Sequence, residues 1–293
     1  MEDFAPDTVT GGVASGMYDR RRGKGIGLVT VDVQQLKSAV EANDATAFGG
    51  DASQKPENWW NGVVYVRLPD AGGGRAVDSV VKSVDGWGVK VVNGSSIPDP
   101  SFADDSGMTV ATNNVMYVQG HFNADGDPST GTSQNPDNNV EPPAALVADA
   151  ITVLSPAWQD ELSNCSDLNS CRKSANFVEV SAAFLTGLAP SDKFNNNRYS
   201  GGVENFPRFL EGWGGRTVRY RGSMVALFES EIAKEPWGTS SVYAAPNRDW
   251  GYNSLFAQGA YPPGTPNTRN TRRFNFRVMT QDEWNQEMAQ LRG

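Results

Sequence analysis

A single histidine, His121, occurs in this 293-residue chain, and it bounds the chemistry available. A Ser-His-Asp or Cys-His arrangement would have to use it, and a metal site with two histidine ligands is excluded. It comes just after the strand-like run Met116-Tyr117-Val118-Gln119 and Gly120, which suits a corner or surface histidine. Carboxylates come next. Asp104 and Asp105 are adjacent, and neighbours in an extended strand face opposite sides, so the two line one groove only across a bend. Asp125-Gly126-Asp127 matches the opening of a calcium loop, although the rest of an EF-hand, with its final Glu, does not follow. Asp125 and Asp127 are the candidate calcium ligands, with a solvated acidic turn as the plainer reading. Asp149 and Glu204 are the carboxylates that a polysaccharide-cleaving β-helix would use.

Cys165 and Cys171 are the two cysteines, set five residues apart in a polar run from Ser163. Two thiols without a nearby histidine make an incomplete zinc set, so a short disulfide-closed loop is the expectation. Trp59-Trp60 precede the run Gly62-Val63-Val64-Tyr65-Val66. Paired indoles are a candidate carbohydrate-stacking platform, against a plainer role in packing. Arg216, Arg219 and Arg221 alternate with Thr217, Val218 and Tyr220, as in any half-exposed strand. The net charge of −9 argues against nucleic acid or an anionic membrane surface as partner. The run Tyr18-Asp19-Arg20-Arg21-Arg22-Gly23-Lys24 reads as a turn with its charges in water.

The elements that must hold these residues are short apolar strands cut by Gly and Asn corners. They include Gly88-Val89-Lys90-Val91-Val92-Asn93-Gly94, and Met108 to Gly120, which bends at Thr112-Asn113-Asn114. Asn tolerates the left-handed backbone that a sharp corner needs. Strand, corner, strand without a helix predicts a mainly β chain, a right-handed parallel β-solenoid (β-helix-like) with short capping helices. A β-sandwich is the alternative. Strands 63–66, 89–92, 115–118 and 151–154 are expected to stack in parallel, with Val64, Val66, Val89, Val91, Met116, Val118, Ile151 and Val153 inward. Asp32 is a candidate N-cap for a helix through Leu36 and Val40, and Thr280 to Glu283 spells a capping box. Phe206, Phe209, Leu210 and Trp213 recur at helical spacing. The chain divides into an N-terminal cap and loop over 1–61, a body over 62–230 with loops at 123–143 and 155–174, and an aromatic, Pro-rich wrap with a terminal helix over 231–293.

No run approaches the roughly 20 apolar residues of a membrane span. The start, Met1-Glu2-Asp3, lacks the basic and apolar regions of a secretory signal. The cysteine pair and turn-rich acidic composition favour a mature or truncated form whose export or anchor segment is missing.

One series of motifs spans nearly the whole chain. It runs from Met17-Tyr18-Asp19-Arg20-Arg21-Arg22-Gly23-Lys24 through Val31-Asp32-Val33-Gln34-Gln35-Leu36, Asn61-Gly62-Val63-Val64-Tyr65-Val66 and Val91-Val92-Asn93-Gly94. It continues with Val115 to Asn123, Ala148 to Ser155, Gly202-Val203-Glu204-Asn205-Phe206, Tyr220-Arg221-Gly222-Ser223 and Pro246-Asn247-Arg248-Asp249-Trp250. The series resembles the C-terminal region of large, mostly uncharacterised bacterial surface proteins similar to the pilus-associated PilX type, which commonly carry a prepilin-like anchor upstream. The resemblance implies an extracellular or cell-surface location and a link to type IV pilus or type II secretion assemblies. It brings no catalytic residues with it. The expected function is a non-enzymatic structural or adhesive domain whose partners are other assembly subunits, copies of itself or carbohydrate, with calcium as the one candidate cofactor. A carbohydrate-active β-helix, a lyase or glycosidase, is the rival.

Overall fold

The fold comes from a computed structural model, which describes residues 15–68, 86–103, 106–124, 141–174, 177–189, 199–201, 206–237, 242–265 and 280–291. An antiparallel hairpin, β1 (Ser15–Asp19) and β2 (Lys24–Asp32), leads into α1 (Val33–Glu41). Asp32 caps that helix as expected, its carboxylate accepting the Gln35 N–H at 3.0 Å. The strands that follow are β3 (Val63–Val66), β4 (Gly86–Val92), β5 (Met108–Thr112), β6 (Val115–Gln119), β7 (Ala144–Ala148) and β8 (Ala150–Leu154). Then come β9 (Phe177–Ser181), β10 (Ala183–Leu188), β11 (Pro207–Arg208), β12 (Thr217–Gly222), β13 (Met224–Glu229) and β14 (Asn247–Tyr252). Two helices, α2 (Ser254–Ala257) and α3 (Gln281–Leu291), lie beyond. The predicted capping box opens α3: the Glu283 N–H donates to Thr280 Oγ1 and the Thr280 N–H to Glu283 Oε2.

Among the described residues the strands form a six-stranded sheet β1-β2-β4-β6-β8-β11, a five-stranded sheet β13-β10-β7-β5-β3 and a three-stranded sheet β14-β12-β9. Consecutive strands change sheet at single corners, at Asn113-Asn114, Asp149, Ala182 and Ser223. The expected right-handed parallel solenoid is nevertheless corrected. The hairpin makes the six-stranded sheet mixed, and that sheet curls into a half-barrel. The three-stranded sheet begins only at β9, so no uniform coil runs through the body. The cause of the first departure is local: Gly23, at φ 67°, turns the chain straight back along itself instead of passing it to another sheet. The β-sandwich fails as well, because the five- and three-stranded sheets are parallel throughout.

The core is built from in-register apolar ladders. Val29, Val89, Met116 and Ile151 are Cα partners across β2, β4, β6 and β8, and Val31, Val91, Val118 and Val153 form the next row. Each of these except half-buried Val29 is almost wholly shielded, a stabilisation of about 1.5–3 kcal/mol per side chain. Val64 and Val66, expected in the same stack, belong to β3 in the five-stranded sheet. The other face of the six-stranded sheet carries Lys90, Tyr117 and Thr152, all buried. It is covered by the hairpin turn and by the excursion 155–174: Tyr117 reaches Asp19, and Lys90 pairs with Asp160 at 2.8 Å.

Residues 206–213 form no helix. Pro207 and Arg208 make the two-residue strand β11 beside Ile151 and Thr152. Phe206, Phe209, Leu210 and Trp213 are buried around it. An edge strand tolerates Pro207, whose missing N–H a helix interior would not. No helix among the described residues is long and apolar enough to cross a membrane.

Candidate functional site

The densest concentration of buried charge lies under the hairpin turn, where the sequence led us to expect charges in water. Asp19 accepts the N–H groups of Arg21 and Arg22 at 2.9 and 3.0 Å through one carboxylate oxygen and the Tyr117 hydroxyl at 2.7 Å through the other. This local turn turns both guanidinium groups inward; Arg21 is 8% exposed and Arg22 7%. Arg22 Nε and Lys24 Nζ converge on one oxygen of Glu235, at 3.5 and 3.3 Å. Arg21 Nη2 donates to the Ser200 carbonyl at 2.9 Å. Arg208, on β11, donates to the Ala233 carbonyl at 2.8 Å. Burial, then the neighbouring Arg208 charge, pull Arg21 down to about 9. Burial also lowers Arg208. Burial and Asp19 push the Tyr117 hydroxyl well above its ordinary value.

Beside this cluster, Asp149 holds the returning chain. Its carboxylate accepts the N–H groups of Glu231, Ile232 and Ala233 at 2.7, 3.3 and 2.7 Å. A carboxylate wrapped in backbone donors is a fastener.

The excursion 155–174 is pinned by a second buried group. Glu211, fully shielded, accepts the Ser155 N–H and hydroxyl, each at 2.6 Å. Burial raises its carboxyl to about 7, against the lowering pull of those two bonds and of Arg172. Arg172, 2% exposed, donates to the carbonyls of Cys165, Leu210 and Val242 at 2.6, 2.5 and 2.7 Å. Cys165 and Cys171 are joined in a disulfide with their Cα atoms 6.3 Å apart, within the usual span of such bonds.

The alternating arginines work as a ladder across the three-stranded sheet. Glu179, Arg219 and Asp249 are register partners on β9, β12 and β14. Arg219 lies 3.5 Å from Glu179 and donates to Asp249 at 2.7 Å, while Arg221 donates to the other Asp249 oxygen at 3.0 Å. The Arg219 guanidinium also sits 5.1 Å from the Phe177 ring centre. His121 stands at one end, its Nδ1 accepting the Glu179 N–H at 3.1 Å, and burial depresses its pKa. His121 thus has a backbone partner, the Glu179 N–H.

Trp59 packs edge-on against Phe48 at 4.8 Å and donates its indole N–H to the Gln54 carbonyl. Trp60 meets it at an interplanar angle of 73°, so the two faces do not form a flat platform. Asp125, Asp127, Asp104, Asp105 and Glu204 lie outside the described residues. Among the described residues no group of three His, Cys, Asp or Glu side chains is placed to hold a metal ion.

Arg208, Glu211 and Arg172 carry no signal in the sequence analysis above, and Arg21 and Arg22 enter it only as charges of a solvated turn. The available signal was Asp19 preceding Arg20-Arg21-Arg22-Gly23 between two strands, the pattern of an Asx-capped hairpin turn. Comparison with protein-family models, curated proteins and solved structures finds no match for this chain.

Proposed function

We propose that this chain is a non-enzymatic structural or adhesive module displayed outside the cell, working in a type IV pilus-like or secretion assembly. Its partners are other subunits of that assembly, and copies of itself. The observation that carries the reading is the use made of the strong polar groups. Asp149, Glu211 and Arg172 each grip backbone or hydroxyl groups from distant segments. Side chains that elsewhere do acid–base work here hold loops in place, a fit for a part under mechanical or proteolytic stress. The Cys165–Cys171 disulfide is compatible with an oxidising, extracellular setting. The motif series from Met17 to Trp250 supports the pilus link by resemblance.

Protease treatment of intact host cells tests location, and deletion of the coding sequence tests role. The expected results are loss of the chain from the surface of treated cells, and impaired piliation or adhesion in the deletion strain. Turnover of an acidic polysaccharide that one carboxylate substitution abolishes would overturn the structural reading.

A further inference from the structure

Between the hairpin turn and the end of the five-stranded sheet lies a crevice of about 10 Å³, lined by Arg21, Arg208, Ser200, Ala150, Leu188 and Phe206 among others. That is room for roughly one water-sized sphere. We propose that this crevice is a halide site, occupied by one chloride ion held between the guanidinium groups of Arg21 and Arg208. The inference is independent of the role proposed above.

Three observations carry it. The first is an orphaned donor set. Arg21 is 92% shielded, yet its Nε and Nη1 have no hydrogen-bond partner among the described residues. Buried guanidinium donors left unmade are costly and need explanation. The second is the charge count. Among the described residues Arg21, Arg22, Lys24 and Arg208 face Asp19, Asp149 and Glu235, four cations against three carboxylates. Asp19 is committed to two amides and Tyr117 and Asp149 to the amides of 231–233, while Glu235 meets Arg22 and Lys24 through one oxygen and leaves the other without a hydrogen bond among the described residues. Two buried like charges side by side are tolerated only with an intervening anion or extensive solvation. The third is size and lining. A space of this size suits a small monatomic anion better than a tetrahedral oxyanion, and Ala150, Leu188 and Phe206 stand beside the two arginines in its largely polar lining.

The test compares sodium chloride with sodium gluconate at equal ionic strength, so that general screening cancels. Chloride, and bromide in the same way, should raise the Tm of the full chain saturably, by about 4 °C at a hundredfold excess over Kd. Gluconate, too large for the crevice, should not. Arg21→Met should abolish the halide increment while leaving the response to gluconate unchanged. Crystals of the unaltered protein grown in bromide give a readout that does not depend on the variant's folding: an anomalous peak in contact with Arg21 and Arg208 supports the site. Equal shifts with chloride and gluconate, a peak placed elsewhere, or a carboxylate of the chain occupying the crevice would each overturn it.

Discussion

Glu211 is an ionisable group whose folded environment works against its ionised form. Its carboxyl is raised from 4.5 to about 7 by burial. Between those values the folded chain binds more protons than the unfolded one, so stability falls as pH rises, by roughly 3 kcal/mol once pH passes 7. Below the ordinary carboxylate range both states are protonated and the effect vanishes. His121 acts oppositely: burial lowers it from 6.5, so the unfolded chain takes up the proton first and stability rises with pH there. The Glu211→Gln variant separates the two. Urea unfolding at about pH 5 and about pH 8 should show a stability advantage of the variant that grows by roughly 3 kcal/mol across the interval. A constant difference would remove Glu211 as the cause. Asp149 is a separate case, its carboxylate accepting three backbone amides. Asp149→Ala strips the acceptor from three amides of 231–233 and should cost about 3 kcal/mol in the denaturation midpoint. Asp149→Asn, which keeps one oxygen, should cost less.

The excursion 155–174 shows how one element can be held by two unlike devices. The disulfide closes a loop of only a few residues, and chain-entropy reasoning assigns it about 2 to 3 kcal/mol. Arg172 ties the same loop to Leu210 and Val242, two segments far along the chain. Reduction should therefore leave the body folded and increase cleavage within 155–174 under limited proteolysis. Arg172→Met should lower global stability by about 3 kcal/mol, because two buried carbonyls and one part-buried carbonyl lose a charged donor. A larger loss on reduction than in the variant would reverse this order. At the centre of the six-stranded sheet, Val118 is 1% exposed between Val91 and Val153. Val118→Asp should cost several kcal/mol, read from the same denaturation curves.

On the scale of the molecule, the strands were legible and their assembly was not. Apolar runs ending in Asn93, Asn113-Asn114 and Gly120 marked the ends of β4, β5 and β6 because such corners leave a local signature. Which sheet each corner feeds depends on contacts made dozens of residues away. Residues 206–213 carry apolar spacing that mimics a helix face although Pro207 and Arg208 form an edge strand. The buried cluster was illegible for another reason: Arg20-Arg21-Arg22 has the composition of a solvated run, and its partners at Ser200, Ile232 and Glu235 are invisible locally. The disulfide and both helix caps were readable because each is set by residues within a few positions of one another. Hydrogen exchange offers a check on how the molecule holds together. The amides of β1, β2 and 231–233 should open with one common free energy, since Asp149, Glu235 and the arginines join them. Independent opening of the hairpin would show that the clasp is loose.

That clasp also imposes a schedule. Arg22 reaches a carbonyl 210 residues further on, and Arg21 one 179 residues further on. At ordinary synthesis rates of roughly 5 to 20 residues per second, the hairpin waits some 10 to 40 seconds for its closing contacts. Until then its arginines stay in water and the edge of the growing sheet stays open. A chain so arranged cannot finish its beginning before most of its length has been made.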